Sequence, residues 1–286
     1  YVGRNGTLEL AYVPFFHTDE YDTTGRWRPR RLDALSEALY SGSYEGTVMT
    51  NLSTELEEKE LGEGQYGLRY SDSAGGFDFG ATYYYGYDRT PVLNNKTGEV
   101  DFNRFQLFGL EGATVVSGFN LRAEAGYFLT EDFEGDDPLV HNNRIEYIAG
   151  FDRSLPLSNL EFQLQHVGSY IINSGKIEEP ESPNPLKPNF DPDPMDNEYD
   201  EDGDYTSNTL TARLSDDYAN DTLRVEIRGS YNIEKEDYMI TPEIELVLRD
   251  DATVTVSAPV FHGDEDGQFG QYAENDMLKI DFGYKF

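Results

Sequence analysis

Residues 278–286 alternate without a break. Leu278, Ile280, Phe282, Tyr284 and Phe286 are apolar or aromatic, and Lys279, Asp281, Gly283 and Lys285 between them are polar or small. A period of two marks a strand with one apolar face and one wet face. The pattern recurs along the chain. In its longest run Phe77, Phe79, Ala81, Tyr83, Tyr85 and Tyr87 share one face, and Asp78, Gly80, Thr82, Tyr84, Gly86 and Asp88 take the other. Residues 119–129, 145–151, 210–214, 223–227, 240–248 and 254–260 repeat it. Counting all such runs, from 7–16 onward, gives about twelve strands. Pro242 falls inside one of them, which predicts a bulge or a poorly paired position.

The connections also differ systematically in length. Residues 73–76, 156–159, 219–221 and 250–252 read as tight turns. Residues 17–62 and 173–204 are long excursions, the second Pro-rich and then acidic. Within the first, Leu32, Leu35 and Leu39 have helical spacing, which predicts a short helix.

Composition narrows the class of protein. Only 37% of the 286 residues are hydrophobic, and mean hydropathy is −0.64. A soluble core of this length needs more. Disorder is the first alternative for so acidic a chain, but 14% aromatic content and the alternation oppose it. A membrane barrel resolves the conflict, because lipid takes half of each strand while loops and interior stay polar. No apolar run is long enough for a transmembrane helix, and strands can span a bilayer without one. With no cysteine, disulfide and thiol chemistry are absent. A formal charge of −33 disfavours nucleic acid, whose phosphates it would repel.

The stretch 276–286, ending on Phe286, resembles the C-terminal strand of Gram-negative outer-membrane β-barrels. That resemblance implies an assembly signal at Phe282, Tyr284 and Phe286, read by the barrel assembly machinery. It also implies a bacterial outer membrane as location, with outer-membrane lipid and lipopolysaccharide as surroundings. The expected fold is an all-β, closed, antiparallel, up-and-down transmembrane β-barrel forming one domain over 1–286. Long loops face outward, short turns face the periplasm, and 7–16 pairs with the terminal strand.

The alternation places Glu9, Arg69, Asp78, Arg104, Arg122, Glu124, Arg144, Glu146, Arg213, Arg224, Glu226, Arg228, Glu243, Glu245, Lys279 and Asp281 toward the lumen. They would line a water-filled pore or plug the interior with ion pairs. Arg26, Arg28, Arg30 and Arg31 would narrow the pore, grip lipopolysaccharide phosphates, or neutralise acidic loops. Asp196, Asp200, Asp202 and Asp204 could hold Ca²⁺, although an EF-hand fails because Thr209 stands where its bidentate Glu belongs. No other cofactor is expected. His166 and Ser169 are three apart, so on one strand they face opposite ways and form no Ser–His pair. The expectation is therefore a non-enzymatic channel for small hydrophilic solutes. The alternative is a non-conducting barrel whose loops act as scaffold, adhesin or docking site for a protein partner or another copy.

Overall fold

The structure is a computed structural model. It describes residues 6–16, 25–28, 64–89, 92–94, 99–137, 140–175, 205–249, 251–265 and 267–285. The helix expected within 17–62, Arg30, Arg31, Asp196, Asp200, Asp202, Asp204 and Phe286 lie outside them.

Fifteen strands are described: β1 Thr7–Val13, β2 Gln65–Ala74, β3 Phe77–Tyr87, β4 Val92–Asn94, β5 Glu99–Asp101, β6 Arg104–Val116, β7 Phe119–Thr130, β8 Arg144–Ser154, β9 Glu161–Ile171, β10 Thr206–Tyr218, β11 Leu223–Asn232, β12 Asp237–Arg249, β13 Ala252–Ser257, β14 Val260–His262 and β15 Lys279–Tyr284. β4 and β5 form a separate pair. The others make one thirteen-stranded sheet in the order β1-β2-β3-β6-β7-β8-β9-β10-β11-β12-β13-β15, with β14 also paired to β12. The twelve strands of that path agree with the alternation, and β14 takes up the line of β13 after Ala258 and Pro259. This is an up-and-down meander, since each strand pairs with the next long strand in sequence. Pairing between β1 and β15 is not part of that order.

Local chemistry explains the turns. Gly75 and Gly76 between β2 and β3 have φ of 61° and 83°, and Ser117 and Gly118 between β6 and β7 have 52° and 82°. Left-handed two-residue turns match the twist of the strands they join. Pro242 keeps regular register opposite Ile227. Its missing N–H costs no ladder bond because β13 and β14 are interrupted beside it, and its carbonyl accepts from Ala258 N at 3.1 Å. The bulge on β12 lies further on, between Val247 and Arg249.

By packing, the chain divides into two compact units. The first comprises Tyr1–Gly112, Glu124–Tyr147 and Ser169–Thr206; the second comprises Ala113–Ala123, Ile148–Gly168 and Ser207–Phe286. Among the described residues neither shows the apolar core of a soluble domain. Among the described residues only six hydrophobic side chains are buried, while thirty-six large ones are exposed, Leu10 at 80% and Phe282 at 79% foremost.

Register shows how the apolar residues are sorted. In the first unit Leu8 lies opposite Tyr70, Leu10 opposite Leu68 and Tyr12 opposite Tyr66; Leu68 in turn faces Tyr83. In the second, Val225 lies opposite Ile244, Ile244 opposite Val256 and Val256 opposite Ile280. Directly opposed residues share a face, so each unit presents one continuous apolar face.

Candidate functional site

The other face carries the chemistry. In the second unit it is built around Glu226 on β11, whose side chain is only 6% exposed. Arg213 Nη2 lies 2.7 Å from Glu226 Oε2, Arg228 Nε 3.3 Å from Oε1 and Arg224 Nη2 3.5 Å from Oε2. Arg228 also donates to Glu243 Oε2 at 2.8 Å. Register explains the arrangement. Arg213 stands directly opposite Arg228, and Glu226 directly opposite Glu243. Like charges repel across each pair, and the diagonal contacts convert that repulsion into a network. Arg224 also approaches Asp217 at 3.7 Å, and Thr255 donates to Glu245 at 3.5 Å. Lys279 and Asp281, neighbours along one face of β15, pair at 2.9 Å.

Beside this network lies a recess of 240 Å³ lined by Arg122, Asp152, Arg153, Ser154, Glu161, Phe162, Gln163, Arg213 and Ser215. Arg122 Nη2 holds Asp152 Oδ1 at 3.0 Å, and Asn120 donates to the other carboxylate oxygen at 2.6 Å.

The first unit has its own ion pairs on this face. Arg69 bridges Glu9 at 2.7 Å and Glu111. Gly80 makes room for the second contact, because a Cβ there would meet the Glu111 carboxylate. Ser73 donates to Asp78 at 2.5 Å. Arg144 pairs with Asp88 at 2.8 Å and Glu146 at 2.7 Å, and lies 4.2 Å over the Phe128 ring. Phe128 packs on Phe105 at 5.3 Å and Phe105 on Tyr84 at 5.7 Å. Part of this face is therefore filled with rings rather than open. Glu124 is exposed one strand period from Arg122 on β7.

One expected lining residue is misplaced. Arg104 lies 4.9 Å over Tyr85 and 4.1 Å over Tyr87. It shares a strand period with Phe108 and Leu110, both exposed, so it belongs to the apolar face. Phe105 and Glu111 occupy the polar face of β6 instead. Of the loop arginines, Arg26 lies 5.2 Å over Trp27 and the Arg28 amide donates to Gly25 O at 3.3 Å. Phe282 and Tyr284 are exposed opposite Val254 and Ala252. Among the described residues no group of three His, Cys, Asp or Glu is placed to hold a metal.

The apolar face of the second unit also bears a polar chain. Asn208 Nδ2 donates to Glu234 Oε1 at 2.5 Å and the Asn208 backbone amide to Oε2 at 2.7 Å. Asn208 Oδ1 is thereby the acceptor for His166 Nε2 at 2.8 Å. This relay fixes the imidazole. Gly168, two residues along β9, shares the His166 face, and Ser169 takes the other. The sequence offers His166 only in a pairing with Ser169 that fails, and Asn208 and Glu234, on other elements, give no sign of this relay there.

No family model matches the chain and no curated protein matches it in sequence. Solved structures that resemble it include outer membrane phospholipase A from Escherichia coli, with 11% identity, a TM-score of 0.31, and 87% of this chain and 83% of that chain covered. The Salmonella typhi outer membrane phospholipase dimer with bound calcium matches over the same shares at 10% identity and a TM-score of 0.28. An active-site mutant of the E. coli protein matches over the same shares at 12% and 0.29. The outer-membrane location expected from the sequence agrees with all three. The expectation that the chain is not an enzyme is corrected by them, since all three are structures of a phospholipase.

Proposed function

We propose that the sheet closes into an outer-membrane β-barrel, with 7–16 against the terminal strand, and that its polar face lines a passive channel for small hydrophilic solutes. The observation that carries this reading is the sorting of side chains. Among the described residues thirty-six large apolar side chains are exposed against six buried. Burying one such side chain is worth about 1.5–3 kcal/mol. Leaving all of them in water forgoes far more than the roughly 5–15 kcal/mol that holds a domain together. Lipid removes that deficit. The opposite face, rich in arginine and carboxylate, then meets water.

Arg69, Asp78, Arg122, Glu124, Arg144, Glu146, Arg213, Arg224, Glu226, Arg228, Glu243, Glu245, Lys279 and Asp281 form the wall in this account. Arg26 and Arg28 lie in the long outer loop, near solutes or lipopolysaccharide. Phe282 and Tyr284 are offered to the assembly machinery.

A second reading rests on the rings of the first unit. Tyr84, Phe105 and Phe128 with Arg144 and Asp88 pack the polar face there. An interior filled in this way makes a non-conducting scaffold whose loops dock a partner. Planar-bilayer recording separates the two. The channel reading expects stable single-channel steps from folded protein; a silent bilayer containing folded protein leaves the scaffold.

A further inference from the structure

We propose that the strap 263–276, between β14 and β15, is the segment that narrows the channel, and that Asp237 is the positioning residue that holds it in the lumen. The inference rests on the channel reading above, in which the polar face of the second unit is the lumen wall.

The first observation is the face on which the strap lies. Register between β11 and β12 runs unbroken from Leu223 opposite Leu246 to Asn232 opposite Asp237. Asp237 therefore shares a strand period, and so a face, with Glu243 and Glu245. Its Oδ2 accepts the amides of Phe269 and Gly270. Phe261 lies opposite Met239, on that same face and two residues further along β12. Tyr272 meets the Phe261 ring edge-on at 6.1 Å. The strap thus runs onto the polar face and does more than round the strand ends.

The second is how closely the strap is built onto the wall. Asp237 is 0% exposed, although it opens a strand at one end of the sheet. A carboxylate withdrawn from water needs donors in exchange, and amide bonds to a charged oxygen are stronger than those to a neutral one. The strap supplies two such donors. Glycines permit the approach. A Cβ at Gly267 would meet the Asp237 carboxylate, and one at Gly270 would overlap the backbone of Gly263 and Asp264. A 3₁₀ helix over Gly270–Asn275 follows. Beyond it Asp276 Oδ1 accepts the Phe261 amide at 2.8 Å. Both ends of the helix are therefore tied to the wall.

The consequence is one of cross-section. Solute flow is set at the narrowest part of a pore. A length of backbone with its helix, lying against one wall, takes more of the lumen than wall side chains do. Asp237 is sealed beneath the strap, so it acts on solutes only by holding the strap in place.

The test is single-channel recording from the full folded chain in planar bilayers. Asp237→Ala removes the acceptor and should raise unit conductance by about two-fold or more, because the narrowest section widens. Asp237→Asn keeps an oxygen that accepts amides and should stay near the parent value. A merely structural Asp237 would lower stability and leave the conductance of folded Asp237→Ala at the parent value; that result overturns the proposal. Ala273→Cys reports the strap's position, since Ala273 is exposed on the helix. A bulky thiol reagent reacting there should reduce conductance, and complete reaction with no change in conductance also overturns the proposal. A silent parent separates the two ideas. It removes the open channel; steps that then appear in Asp237→Ala uphold the strap as what fills the lumen, and silence in both overturns the strap as well.

Discussion

Leu110→Arg destabilises the protein folded in a bilayer by about 2–4 kcal/mol, the cost of an arginine on the lipid face near the midplane. Leu110 is 68% exposed and lies at the centre of β6. In a water-soluble sheet so exposed a residue accepts arginine within about 0.5 kcal/mol. The two outcomes differ several-fold in free energy and opposite ways in meaning. Thr255→Arg is the companion variant. Thr255 stands between Glu245 and Asp281 on the polar face, so an arginine there gains opposite charges and leaves stability near the parent value. Urea titration of folding into vesicles measures both. Equal effects of the two variants would mean that the faces do not differ in their surroundings.

The second large effect is at Glu226. Glu226→Leu leaves Arg213, Arg224 and Arg228 with their shared counter-ion gone, and Arg213 directly opposite Arg228. Removing one partner of a fully buried pair costs about 3–5 kcal/mol. The arginines here are a third or more exposed, so water takes up part of the loss and about 2 kcal/mol is expected. Adding Arg213→Leu should restore much of it, because the like-charge pair across β10 and β11 is removed as well. The same urea titration, run as a double-mutant cycle, reads the coupling directly. Additive effects of the two substitutions would contradict the network.

Most of the fold was legible because strand period and face coincide. The run of Phe77 to Tyr87 and the alternation of β11, β12 and β15 specify both the strand and its apolar side. Arg104 shows where the sequence misleads. Its charge suggests the lumen, but on β6 the polar face holds Phe105 and Leu107, while Arg104 rests on Tyr85 and Tyr87 from another strand. Charge is a poor guide at a strand end, where an arginine can lie on rings at the edge of an apolar belt. Glu111 was missed for a related reason. It lies on β6, and only pairing reveals Arg69 as its partner.

The strap 263–276 was not legible either. Asp237 is fully buried and accepts the amides of Phe269 and Gly270 at 2.5 and 2.9 Å. Gly263, with φ of 141°, approaches so closely that a Cβ would overlap the Asp237 side chain. An acidic residue at the start of β12 gives no sign of such a partner until the chain folds back.

The central claim is closure of the sheet in a membrane. The chain contains no cysteine, so engineered pairs can be read without background. One cysteine in Thr7–Val13 and one in Lys279–Tyr284, scanned against each other in protein folded into vesicles, should join when their Cα atoms are about 5–6 Å apart. A closed barrel predicts disulfides at facing positions of a single register. Failure of every pair to join, in protein shown to be folded, would contradict the barrel and the channel with it.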